Sequence, residues 1–516
     1  GIALGSWIGG RIANAKHEPI KVYMLCEVGI AIWCILTPWL FSLIQDMYIS
    51  VASGGNPAEP KFVAIQLFFG LIILTPPTVL MGMTLPVLTS YFESKNERFG
   101  SAVGRLYSAN TLGAAIGALG TGYLLLPAFG SQGTTGIAVI MNLLAALAAL
   151  WISKSVLQSR DETQHGNKAL VVVETETSDS TLKPATRAQI SRGRIAVFVL
   201  TIGGILTLAL ESTYIHLLAV VAGNSVYAFA LMLFCFLVGL GGGASVSRRL
   251  LDRGLSAGIG LAYSYLGMAF VIVLGLFWWD QIPAYFESFA DYGDTKTFEQ
   301  REFVRFVTCA LTMLPVSTLI GMAYPFSMEL VGQAWPNIRL LALGRAAASN
   351  TLGNIVGALL GGFVLIPILG SFSTLELIAG TSLGLGVLIA WSLPTHERRR
   401  LVLPLLVCMA LFPCLPDGFK MDQLASGANV YFHAQGYGQV IDYAESLDGG
   451  LTTVQRTEEE NGDVIYTLLT NGKFQGDSSD KREMRAQVGF GLVPMLHTSA
   501  RQRSLVVGFG TGVTAR

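Results

Sequence analysis

Long apolar runs separated by short polar breaks fill the chain from its first residue to about residue 416. A helix needs about 20 mostly apolar residues to cross a bilayer. Runs of about that size occupy 22–45, 62–92, 106–129, 134–152, 195–221, 227–246, 255–279, 303–331, 340–369 and 373–393, and the apolar stump Gly1 to Ile12 brings the total to about eleven. The run 401–416 holds about fifteen apolar residues with Pro404 and Pro413, short of the 18 or so that mark a span. It is expected to be interfacial or re-entrant. From Asp417 the pattern becomes that of a soluble α/β domain. Residues 439–446, 451–455 and 464–470 read as strands, Asn471-Gly472 as a turn, about 480–489 as a helix, and Ser504 to Val507 as a buried strand leading into glycines.

The apolar region repeats itself. Pro76, Gly82 and Pro86 recur about 239 residues on as Pro315, Gly321 and Pro325. Gly104-Arg105 with Ser108-Ala109-Asn110-Thr111-Leu112-Gly113 recurs as Gly344-Arg345 with Ala348-Ser349-Asn350-Thr351-Leu352-Gly353, and Pro127, Gly130 and Ser131 recur as Pro367, Gly370 and Ser371. Pro, Gly, Arg and Asn coinciding at one offset imply two similar halves. The offset leaves 195–221 without a counterpart, so one helix is expected to precede residue 1, giving six helices plus six. Residues 1–153 form the first half, 154–194 a polar linker, 195–393 the second half, 394–416 a basic loop with its short apolar segment, and 417–516 the soluble part.

Lys and Arg fall in every second loop, among them Arg11, Lys95, Arg98, Arg248, Arg249, Arg339 and Arg398 to Arg400, which expects those loops in the cytoplasm and the halves parallel. Composition agrees with a membrane protein. The chain is 52% hydrophobic and 13% charged with mean hydropathy +0.54, against roughly 25% charged in soluble proteins. Its 34 basic and 34 acidic residues cancel, so no global field draws in nucleic acid. All six cysteines lie in apolar runs without metal-ligand spacing, and no metal is expected.

Ionisable groups within spans are costly unless paired or solvated, which singles out Glu27, Arg105, Glu211, His216, Glu329, Arg345 and Glu376. Glu211, in an apolar helix without a basic neighbour, is a candidate substrate or proton site, or else an interhelical hydrogen bond. Arg105 and Arg345 lie near helix ends, where they can snorkel. The paired prolines are expected to break helices within the membrane and to mark a central pathway.

Six helices plus six, parallel halves and the loop Gly9-Gly10-Arg11-Ile12-Ala13-Asn14 resemble the major facilitator superfamily, with Asn14 near the place of its usual acidic residue. The soluble part resembles the N-terminal portion of spermidine synthase. The resemblance rests on Gln439-Val440-Ile441 with Glu445-Ser446, the hairpin Asn471-Gly472-Lys473-Phe474-Gln475, the helix end Leu492 to His497 and the loop Gly508-Phe509-Gly510-Thr511-Gly512. That resemblance implies a β-hairpin plus Rossmann-like domain in which Gln439, Gln475, Gly508, Gly510 and Gly512 bind decarboxylated S-adenosylmethionine as co-substrate, with a polyamine as acceptor. Thr511 stands where the family has Asp, only Asp480, Lys481 and Glu483 stand where it has Asp-Glu-x-x-Tyr, and its catalytic aspartates are expected beyond Arg516. The expected function is a membrane-bound aminopropyltransferase of the bacterial inner membrane with a cytoplasmic soluble domain, acting alone or coupled to transport. Alternatives are a facilitator-like transporter with a nucleoside-sensing domain, and another S-adenosylmethionine-dependent transferase.

Overall fold

A main chain placed in hydrocarbon must satisfy its own hydrogen bonds, and the computed structural model of this chain is accordingly helical over most of its length. It describes residues 1–15, 18–52, 60–93, 99–166, 185–289, 297–432, 438–446, 450–460, 462–479, 483–498 and 511–513. The first helices are α1 (Ile2–Asn14), α2 (Pro19–Ala52), α3 (Pro60–Glu93), α4 (Phe99–Gly120) and α5 (Leu126–Gly166), with a π-helical turn Thr121–Leu125 before α5. Then come α6 (Arg187–Val221), α7 (Val226–Asp252), α8 (Ala257–Leu276), the short α9 (Ile282–Glu287), α10 (Phe298–Ala334), α11 (Arg339–Leu360), a π-turn Gly361–Leu365 and α12 (Ile366–Ser392). After α13 (Thr395–Arg398), α14 (Val402–Leu411), α15 (Met421–Leu424) and α16 (Ala428–Tyr431) the chain enters a sheet of β1 (Gln439–Glu445), β2 (Leu451–Glu458), β3 (Val464–Thr470) and β4 (Lys473–Asp477), followed by α17 (Glu483–His497). Among the described residues, eight helical stretches are long and apolar enough to cross a membrane. Their length and composition make this a multi-pass membrane protein.

The prolines do not break their helices. Pro76, Pro77 and Pro86 lie inside continuous α3, and Pro315 and Pro325 inside continuous α10. A proline removes the donor for the carbonyl four residues back, and neighbouring helices supply replacements here. Trp33 Nε1 donates to the Ile73 carbonyl at 2.8 Å, which Pro77 leaves open, and Ser6 Oγ to the Gly82 carbonyl at 3.2 Å, which Pro86 leaves open.

The interruptions fall at glycines instead. Two of the apolar stretches, 99–155 and 336–392, are 57 residues long, which as a straight helix would be about 85 Å, nearly three hydrocarbon thicknesses. Each turns at a glycine with positive φ, Gly130 (φ 64) and Gly370 (φ 77), a conformation that other residues rarely adopt. Each is preceded by a five-residue π-helical turn.

Helices pair as α1 with α3 and α11, α7 with α10 and α4, α2 with α3 and α5, α8 with α10 and α12, and α6 with α10 and α11. Gly10 and Gly344 let α1 and α11 meet, a Cβ on Gly10 falling 2.9 Å from the Gly344 Cα. Gly353, Gly357 and Gly361 press against the α6 main chain, whereas Gly113, Gly117 and Gly120 have open space before them. The N-terminus of α4 receives two carboxylates, Gly100 N donating to Glu329 at 2.7 Å and Ser101 Oγ to Asp252 at 2.6 Å, where a helix dipole favours negative charge. Helix α6 starts earlier than its apolar run, at Arg187, because Thr186 and Gln189 form a capping box. The polar stretch expected as a linker from residue 154 begins as a continuation of α5 to Gly166, since extending a helix costs less than starting one.

Residues 401–416 run alongside α8. Tyr263 Oη donates to the Arg400 carbonyl at 3.1 Å, Cys408 Sγ to the Leu266 carbonyl at 3.4 Å, and Lys420 N to Asp280 at 3.3 Å. The segment therefore advances beside α8 from one end of the bundle to the other. Ten α-helical and six 3-10 residues over 399–414 reach about 27 Å, more than an α-helix of the apolar residues alone, because the flanking turns rise further per residue.

The four strands are antiparallel in the order β1-β2-β3-β4. Asn471 (φ 50) and Gly472 (φ 70) make the β3–β4 hairpin turn, both left-handed as a two-residue hairpin requires. The helix expected near 480–489 runs over Glu483–His497 with Pro494 inside it, and the strand expected over 504–507 lies outside the described residues. The sheet sits at the end of the bundle opposite the arginine-rich loops. Glu445, at the end of β1, places Oε2 2.9 Å from His216 Nε2 and accepts from Ser371 N at 3.0 Å and Ser371 Oγ at 3.2 Å. Its side chain and that of His216 are 6% and 3% exposed, so the pair is a buried latch set against the Gly370 bend. Replacing Glu445 by Ala leaves His216 buried without its partner and is expected to weaken docking of the sheet by about 1–3 kcal/mol. Hydrogen exchange in β1 should quicken while that near Arg192 and Ser392, at the other end, stays as it was.

Candidate functional site

Helices α4, α6, α7, α8, α10 and α11 converge on an internal cavity of about 160 Å³. Glu211 reaches it from α6, ten residues and about 15 Å before the helix end at Val221. It makes no hydrogen bond or ion pair among the described residues, and no Lys, Arg or His lines the cavity. Tyr107 and Tyr324 stack nearby with ring centroids 4.8 Å apart and 24° between planes. Asn350 and Asn354 complete the polar wall, and the buried Asn354 Oδ1 has no hydrogen-bond partner.

The chemistry of this wall is one-sided. A carboxylate and an unsatisfied amide oxygen favour a cation carrying N–H donors, and no cationic side chain lines the wall to compensate a second anion. The volume suits a few waters or the end of an alkylammonium chain.

The other membrane residues singled out by sequence lie elsewhere. Arg105 is half-buried in α4 with its guanidinium 4.4 Å from the centre of the Phe92 ring, and Arg345 is exposed on α11. Each is the seventh residue of its helix and neither lines the cavity. Glu27 hydrogen-bonds Tyr23, Glu329 caps α4, His216 belongs to the sheet latch, and Glu376 is exposed. Sequence reading left Glu302 in a loop. It is instead buried in α10, where it accepts from Tyr123 Oη at 2.5 Å and pairs with Arg305. Tyr107, Tyr324 and Asn354 were also missed. Asn350, in the recurring Ser-Asn-Thr-Leu-Gly pattern, was the one signal that could have pointed to this wall.

In the sheet, Gln439 opens the edge strand β1 and Gln475 lies on the opposite edge strand β4, three strand spacings or roughly 14 Å apart in a flat sheet. Gly508 and Gly510 lie outside the described residues. Gly512 has φ 77, and its neighbour Thr511 packs against Gly476, whose added Cβ would lie 2.7 Å from Thr511 Cγ2. Glu483 approaches the same glycine, its Oε1 3.6 Å from that position. The structure thus brings the end of the glycine loop against Gly476, the residue after Gln475 in β4, while Gln439 lies on the other edge strand. Among the described residues no three His, Cys, Asp or Glu side chains gather as a metal site. Compared with known proteins, the chain matches no family model and no curated protein.

A carboxylate left unpaired inside a bundle is a cost that packing alone would not keep. Replacing Glu211 with Gln removes that charge at nearly constant volume and is expected to stabilise the protein by about 1 kcal/mol, read as a small rise in thermal midpoint. A clear loss of stability would make Glu211 a structural hydrogen-bonding residue instead.

Proposed function

We propose that this is a membrane-embedded, aminopropyltransferase-like protein that handles polyamines, with a bundle of two facilitator-like repeats. The observation that carries the soluble half of this reading is the contact of Thr511 with Gly476, the residue that follows Gln475 in β4. A glycine there lets a ligand approach main-chain N–H groups, and Gln475 is within the same edge to hold a nucleoside.

Two sets of matched features support the repeats. Helices α4 and α11 have 22 residues each, both continue into a π-turn, and both are followed by a positive-φ glycine 240 positions from its counterpart. Taking α1 with α7, α3 with α10 and α4 with α11 as counterparts, the pairings α1–α3 and α1–α11 correspond to α7–α10 and α7–α4. Counting the two stretches bent at glycine twice, ten passes follow α1.

The side of the sheet follows from charge. Arginine-rich loops belong in the cytoplasm and the sheet sits at the other end of the bundle, so we place the soluble domain outside, revising the cytoplasmic expectation. Decarboxylated S-adenosylmethionine is made in the cytoplasm, so this placement asks the bundle to pass a substrate outward, which is the service a facilitator-like fold performs. A cysteine at Glu460, in a background with the exposed Cys414 changed to Ser, should be labelled in intact cells by a thiol reagent that cannot cross the inner membrane. Labelling only after lysis would return the domain to the cytoplasm.

The unpaired Glu211 favours a second reading, a transporter of cationic amines whose soluble domain senses a nucleoside, and Thr511 in place of an acid leans the same way. Both readings expect the purified protein to bind methylthioadenosine, with Gln475→Ala weakening binding at least tenfold by calorimetry. Unchanged affinity in that variant would remove Gln475 from the site. Aminopropyl transfer to spermidine or putrescine selects the first reading, and binding without transfer the second.

A further inference from the structure

We infer that a cavity at the sheet end of the bundle, between α8 and α10, binds one acyl chain by its carbonyl-bearing end through Tyr214 and Trp279. Its volume is about 470 Å³, within the range of ligand sites and well above that of the cavity at Glu211. Most of its wall is apolar, with Val271, Ile282 and Pro315 among the residues, and no charged side chain lines it.

Gln281, Tyr285, Thr308 and Thr312 also line it, and two buried polar atoms stand out in that wall. Tyr214 and Trp279 are 3% and 2% exposed and pack edge to face at 5.1 Å. Neither the Tyr214 hydroxyl nor the Trp279 indole N–H makes a hydrogen bond among the described residues. Both converge where Gly275 lacks a side chain, since a Cβ there would lie 3.5 Å from Trp279 Nε1 and 3.8 Å from Tyr214 Oη. Buried tyrosine and tryptophan normally find a partner, and leaving such donors unmet costs about 1–3 kcal/mol each. An acceptor brought by a ligand would remove that cost.

Three features specify the ligand. The mouth is bordered by Leu274, Trp278 and Leu311, which are 44%, 70% and 72% exposed on or beside membrane-length helices, so it opens onto hydrocarbon. Two neutral donors without a cation suit a carbonyl oxygen and not a phosphate. Gly275 lies one residue before the end of α8, the depth at which tryptophan and tyrosine collect in membrane proteins and at which an acyl ester or carboxyl group lies. The inference stands apart from the polyamine reading and requires only that the bundle be in a membrane.

The test reconstitutes the protein in phosphatidylcholine vesicles carrying, in one arm, palmitate with a diazirine on its chain and, in the other, phosphatidylglycerol bearing that same chain. After irradiation, adducts are mapped by peptide mass spectrometry. Adducts should concentrate on Val271 and Leu311 over the lipid-facing Leu147 of α5, fall at least tenfold in Gly275→Phe, which fills the point of convergence, and fall several-fold in Tyr214→Phe, which keeps the ring and removes the donor. The arm that labels says whether the chain comes from a free fatty acid or a phospholipid. Labelling of Val271 and Leu311 no greater than that of Leu147, or unchanged in Tyr214→Phe, overturns the site; that second variant stands even if Gly275→Phe does not fold.

Discussion

Hydrocarbon offers no water to a peptide group, so each main-chain donor and acceptor in this bundle must be met from within the protein. That requirement is met at two of the three prolines inside continuous α3: the indole of Trp33 and the hydroxyl of Ser6 take the places of missing amides at Ile73 and Gly82. Side chains that look unremarkable in sequence thereby hold α1, α2 and α3 together. The same requirement explains the close glycine contacts, where main chains approach and van der Waals packing replaces a hydrophobic drive that lipid cannot provide. The two long stretches turn at Gly130 and Gly370, where no Cβ opposes a positive φ.

Helix α6 links the parts of the molecule that can carry chemistry. Glu211 faces the central cavity, Tyr214 the cavity beside α8, and His216 the sheet, all within two turns of one helix. At about 100° per residue these positions point to three different sides, so a single rigid element touches three sites. A shift of α6 that altered the wall around Glu211 would also be felt at Glu445. Latch and bend share residues too, because Glu445 accepts from Ser371, directly after Gly370.

The short segment with α14 carries a large share of the architecture for its size. It lies on the perimeter, with Leu403 and Leu406 facing outward and Cys408 inward against α8. Its two flanking 3-10 turns lengthen it enough to connect opposite ends of the bundle.

Much was legible from sequence. Apolar runs fixed the existence of the long helices, since no other use of so many uncharged residues satisfies both lipid and main chain. Period-two patterning located β1 and β3, and Asn471-Gly472 identified the hairpin turn because both residues tolerate left-handed backbone. Glu211 stood out because a lone carboxylate in an apolar helix is expensive. Other features needed the tertiary structure. Whether a proline breaks a helix depends on donors such as Trp33, 44 residues before Pro77, and local sequence does not contain that information. The wall around Glu211 gathers Tyr107, Tyr324 and Asn354 from three helices, each an ordinary residue in its own segment. The partner of His216 lies 229 positions away on a strand. Sequence determines which groups cannot be left alone in a membrane, whereas the fold decides what meets them, because that choice is made by helix packing over hundreds of residues.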